Sequence, residues 1–346
     1  MKKIIIYFLI VIFLTLPVFA TEYTAPAVPE GAKNYMPEEN ETFAQGLWYI
    51  FKKAVSDLEP DISSASESCL ALIAVVFLIS VLGYLSNNYL PMIRLSGAVS
   101  VSLLMIKPIG SFVSLGISTV QQLSGYGKLL LPVMTSALAA QGGGTKSATI
   151  YTGTIFFDTI LSALIEKIIV PLIYGFLCFS IAECVSGQQL LRKFCDLIKW
   201  LITWSLKWIL YLFTGYISVT GVISGVVDAS ALKVTKITIS GMVPVIGSVI
   251  ADASETILVS AQIMKNAAGI YGIFALLALF ISPFLKIGIQ YILIKFSSFV
   301  CGILGDQPVI KLILDFSTCM GLILATTGAV CLLQLISLVC FMKGIN

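Results

Sequence analysis

Residues 237–272 read ITISGMVPVIGSVIADASETILVSAQIMKNAAGIYG. The stretch is apolar enough to enter a bilayer, yet Gly241, Pro244 and Gly247 interrupt it early, and Asp252, Glu255, Lys265 and Asn266 sit inside it. Hydrocarbon offers no water to an unpaired backbone group, so a broken, polar-bearing segment at that depth must be covered by protein or line water. The expected fold is therefore an all-α polytopic membrane protein in which some helices are interrupted or re-entrant.

Composition agrees. Apolar residues make up 58% of the 346 and charged residues 11%, against roughly 25% charged for a soluble domain. A mean hydropathy of +0.99 belongs to a multispanning protein rather than to a globular enzyme with a large core. Eight cysteines lie in or beside apolar runs, none in C-x-x-C spacing, and the chain has no histidine. Zinc sites of the usual His/Cys kinds and histidine-based catalysis are therefore not expected, and the cysteines read as small core residues. No phosphate-binding loop or dinucleotide fingerprint occurs, so no enzyme, cofactor or nucleic-acid partner is expected.

Three regions follow from the N-terminus. Residues 1–20 have the form of a signal peptide: Lys2 and Lys3, an apolar run over 4–16, then Val18-Phe19-Ala20. An uncleaved first anchor fits the same residues, and either one delivers the next segment to the outside. Residues 21–68 form an acidic arm with nine carboxylates against three lysines, a net of −6. Within it, Phe43 to Leu58 can form an amphipathic helix with Leu47, Ile50, Phe51 and Ala54 on one face. The arm serves either to dock a partner or as a solvated leader. Residues 69–346 carry a net charge of +7 and form the polytopic domain, with about six to eight membrane segments.

Within that domain, residues 69–85 are a first span, and Arg94 marks the cytoplasmic side. Residues 95–115 return, with an interruption at Lys107-Pro108. Residues 129–150 are a second broken block, in which Pro132 stands near the start and Gly142-Gly143-Gly144 at the end, so a re-entrant segment is expected there. Residues 149–165 and 168–182, on either side of Glu166-Lys167, are two spans or one bent segment. Trp200, Trp204 and Trp208 recur at helical spacing beside Lys199 and Lys207, which suits an interfacial helix or a tilted span. Pro283 and Lys286 separate two further segments. With Lys286 and Lys343 inside, Asp306 and residues 228–266 fall outside.

The candidate functional residues are the polar positions of the opening stretch. At 100° per residue, Ser248, Asp252, Glu255, Gln262 and Asn266 fall within roughly an 80° arc. Ionisable groups in such a helix face a bundle interior, a partner or water, so the stripe lines a conduit or contacts a partner, or else is the wet face of an interfacial helix. The isolated acids Asp158, Asp228 and Asp315 read as hydrogen-bonded structural groups or as parts of an ion path, with the structural reading favoured.

Three blocks also resemble the stage III sporulation protein AE family. They are Leu131-Pro132-Val133 with the glycine run and Ser147-Ala148, residues 219–225 (VTGVISG), and residues 240–247 (SGMVPVIG) followed by Asp252, Glu255 and residues 265–269 (KNAAG). The resemblance implies a multi-pass component of the mother cell–forespore channel complex, a secretion-like assembly needed for endospore development after engulfment. It also implies residence in the mother-cell membrane around the forespore and contact with the other membrane proteins of that complex. It carries over no catalytic residue. A homo-oligomer stays open, as does a permease-like transporter with Asp252, Glu255 and Asn266 near a solute path.

Overall fold

A backbone in hydrocarbon has to satisfy its N–H and C=O groups within its own segment, and a chain this apolar does so with helices. The computed structural model describes residues 26–37, 42–85, 90–139, 144–219, 267–303 and 306–345, and among these there is no strand. A one-turn helix α1 (Glu30–Lys33) and α2 (Phe43–Ser56) come first. The long helices follow: α3 (Glu59–Leu85), α4 (Leu90–Leu138), α5 (Gly144–Leu164), α6 (Val170–Ser186), α7 (Gln189–Val219), α8 (Ala267–Cys301) and α9 (Gln307–Ile345). A π-helical turn, Ile165–Ile169, joins α5 to α6 without a break.

Five helical runs among the described residues are long and apolar enough to cross a membrane: 59–85, 91–136, 146–186, 269–301 and 307–342. The chain is thus all-α and polytopic. Helix α7 is of similar length but carries Arg192, Lys193, Asp196, Lys199 and Lys207, and is not one of the five.

Helix α9 is the axis of the bundle. It packs on α4, α5, α6, α7 and α8, and 78% of its apolar window is buried in protein, against 17% for the peripheral α3. Glycines let neighbouring helices approach: a Cβ on Gly116 would meet Ile323, and one on Gly127 would meet the Gln334 amide.

The arm is part of this packing. Gln45 Oε1 accepts the Thr42 N–H at 3.0 Å and starts α2. Phe43 stacks on Phe274 of α8 with ring centroids 5.3 Å apart, and Ile50 and Ala54 are buried. Leu47 packs on the core as expected, whereas Phe51 is 43% exposed and stacks on Trp48 instead. Helix α3 starts at Glu59, so its first turns lie in what the charge pattern assigns to the arm.

Several expected interruptions are absent. Helix α4 runs through both Pro108 and Pro132, so residues 129–138 are the end of a long helix and not a re-entrant turn. Helix α8 likewise runs through Pro283. A proline removes one intrahelical bond and strains one turn, and neighbouring helices supply the packing that holds the helix together on either side. Residues 144–186 form one continuous run, with the π turn absorbing Glu166-Lys167.

The inferred sidedness of Asp306 also fails. Arg94 Nε donates to Asp306 Oδ2 at 2.7 Å, so these two residues share one end of the bundle. Lys286 Nζ pairs with Asp61 of the arm at 3.0 Å, placing it toward the arm instead of on Arg94's face. Dividing the chain at Pro283 adds a crossing that does not exist, which inverts everything counted after it. The starts of α4, α7 and α9 gather at one end, tied by Arg94–Asp306 and by Arg192–Asp315 at 2.8 Å. At the other end Gly269 meets Met342, Gly272 meets Leu130, and the Tyr216 hydroxyl donates to the Thr149 carbonyl at 3.0 Å.

Candidate functional site

The polar stripe of Ser248, Asp252, Glu255, Gln262 and Asn266 lies outside the described residues, as do Asp228, Gly241, Pro244, Gly247, Gly142 and Gly143. Gly144 is the first residue of α5. The described ends nearest the stripe, Val219 of α7 and Ala267 of α8, both belong to the end of the bundle opposite Arg94.

What the structure does bring together is a polar seam between α4, α5 and α9. Asp158 projects from α5 into this seam and is 1% exposed. The Ser124 hydroxyl of α4 donates to its Oδ2, and the Gln334 amide of α9 donates to its Oδ1 at 2.8 Å. Farther along the same interface Thr154 donates to Ser337 Oγ at 2.9 Å. The close approach at Gly127 seats Gln334 against α4. Each carboxylate oxygen is thus engaged by a neutral donor from a different helix. Such an arrangement ties three helices in register and leaves no donor of the set unpaired, as buried polar groups require.

A second tie secures α7. Arg192 Nη1 donates to both oxygens of Asp315, at 3.1 and 2.8 Å, and Asp315 is buried while Arg192 is half-exposed. Asp196 adds a longer pair at 3.7 Å. Beside them Cys195 is buried against Ser180, where it is a packing group. Asp158 and Asp315 therefore have the structural roles expected of them.

Sequence reasoning missed the partners: Ser124, Arg192, Gln334 and Ser337 carry no motif. The one available signal was Gln334, the lone amide of the run 328–342, where Ser337 is the only other polar side chain, because an amide in such a run has to find a partner.

The outward face of α7 is aromatic. Trp200, Trp204 and Trp208 are all exposed and stack in sequence, with centroids 5.7 and 5.6 Å apart. Its inward face, Ile198, Ile202, Leu206 and Phe213, is buried.

The family profile described as Stage III sporulation protein AE matches residues 33–344. The Stage III sporulation protein AE of Bacillus subtilis (strain 168) is 26% identical over 238 residues, which are 68% of this chain and 60% of that protein's length. No solved structure matches. The chain belongs to the stage III sporulation protein AE family.

Proposed function

We propose that this family member is a non-catalytic, membrane-embedded assembly component of the mother cell–forespore channel complex, acting through its contacts with the other membrane proteins of that complex. One observation carries this reading: the buried carboxylates Asp158 and Asp315 are consumed by partners within the chain. Carboxylates that serve a transport path must be free to exchange protons, ions or partners. These two instead hold helices together, which suits a scaffold. The exposed aromatic face of α7 and the aromatic face of α2 leave ample surface for lipid and for neighbouring subunits.

The test uses the polar stripe. Asp252→Asn together with Glu255→Gln, introduced into the full chain in sporulating cells, is expected either to weaken recovery of the assembled complex or to change nothing. Intact assembly with loss of solute movement into the forespore would sink the proposal and favour a permease.

A further inference from the structure

We infer that the outward groove between α8 and α9, at the end of the bundle that carries Arg94, binds the headgroup of an anionic phospholipid through Lys295 and Lys311. Packing leaves α9 one open side there. Of residues 311–324 only Lys311, Leu314, Thr318 and Gly321 escape burial, and their spacing of three, four and three puts them on one stripe. Tyr291 of α8 borders this stripe, since a Cβ on Gly321 would meet its ring at 3.2 Å. Lys295, one turn nearer the end of α8, donates to the Tyr291 hydroxyl at 3.1 Å. Two cations and a hydroxyl thus line one groove.

The two lysines are level with each other. Ser298 Oγ donates to the Ile310 carbonyl and Ser317 Oγ to the Tyr291 carbonyl, each at 3.3 Å. These bonds fix the register of the antiparallel pair, so that Lys295 stands opposite position 313 and Lys311 opposite position 297. Their heights then differ by about 3 Å at 1.5 Å per residue. Packed helix axes lie about 8–10 Å apart, a gap that two lysine side chains close onto a phosphate held between them. Lys311 follows the start of α9 by about 6 Å and Lys295 precedes the end of α8 by about 9 Å. That is headgroup depth, just inside the polar end marked by Arg94 and Asp306.

Charge and surroundings choose the occupant. The carboxylates of this part of α9 are already taken, Asp306 by Arg94 and Asp315 by Arg192. Among the described residues no carboxylate pairs with Lys295 or Lys311. Around the lysines Ile292, Phe296, Phe299 and Leu314 are exposed. Two uncompensated cations set in apolar surface call for one molecule with a negative head and apolar tails. An anionic phospholipid has both, and basic pockets between membrane helices take such headgroups. A zwitterionic phospholipid brings its own cation and leaves the lysine pair uncompensated.

The purified full chain in phosphatidylcholine–detergent micelles gives the test. Added phosphatidylglycerol is expected to raise the thermal unfolding midpoint saturably, whereas further phosphatidylcholine, or inorganic phosphate at the same concentration, does not. Lys295→Gln with Lys311→Gln should bind the anionic lipid at least about tenfold more weakly, with an unchanged midpoint before it is added. Lys193→Gln with Lys199→Gln removes the same charge from exposed positions of α7 and should leave that binding as it is. Equal binding by the first variant, an equal loss in the second, or stabilisation by phosphate alone would overturn the inference. So would a high-yield disulfide from Leu314→Cys, in a cysteine-free chain in native membranes, to a second copy or to another protein, because the groove would then hold a helix.

Discussion

Asp158 shows how a single carboxylate can be structural at membrane depth. Its two oxygens receive Ser124 and Gln334, so removing the side chain strands two buried donors. Each stranded group costs about 1–3 kcal/mol. Asp158→Ala is therefore expected to lower the thermal stability of the detergent-solubilised chain markedly. Asp158→Asn, which keeps one acceptor, should cost less and leave sporulation intact. If Asp158→Asn instead kept stability and abolished sporulation, the carboxylate would be working through its charge. The sequence shows this acid to be isolated and apolar-flanked, which is enough to suggest a hydrogen-bonded role. Its partners, 34 and 176 positions away, are not readable from local spacing.

At the scale of elements, the arm is the clearest case of a local pattern completed by tertiary packing. The apolar spacing of Leu47, Ile50 and Ala54 marks an amphipathic helix, and α2 forms where it is expected. What the pattern cannot give is the receiving surface, here Phe274 of α8, against which Gly46 must stay small. Phe51 illustrates the same limit, since helical spacing places it near the buried face while Trp48 draws it outward. Phe274→Ala opens a cavity and removes the stack with Phe43, a change of about 3–5 kcal/mol for a buried aromatic. The expected result is faster protease cleavage within 38–60, with the remaining helices still protected. Unchanged cleavage would mean that the arm holds without this contact. The prolines teach the converse lesson: as local breakers Pro108, Pro132 and Pro283 divide segments, but each lies inside a helix that packing sustains.

For the whole molecule, apolar content alone points to a polytopic helical protein, and the described residues bear this out with five helical runs long and apolar enough to cross a membrane. The arrangement of crossings is a different matter, because each misplaced boundary inverts all that follow. The fold resolves this through two ion pairs that no local pattern announces, Arg94–Asp306 and Arg192–Asp315, which bring the α3–α4, α6–α7 and α8–α9 connections to one end. The described residues that flank the candidate polar stripe in sequence, Val219 and Ala267, lie at the opposite end with the arm.

The most direct check on this architecture is a cross-link between positions 94 and 306. In the cysteine-free full chain, Arg94→Cys with Asp306→Cys, treated in membranes with a short bis-maleimide, should join peptides from α4 and α9 in high yield. The half-exposed ion pair it replaces costs about 1 kcal/mol or less, so the fold should survive. Two thiols that each accept a monofunctional maleimide yet never link would place the ends on opposite faces, about 30 Å apart, and would contradict the bundle described.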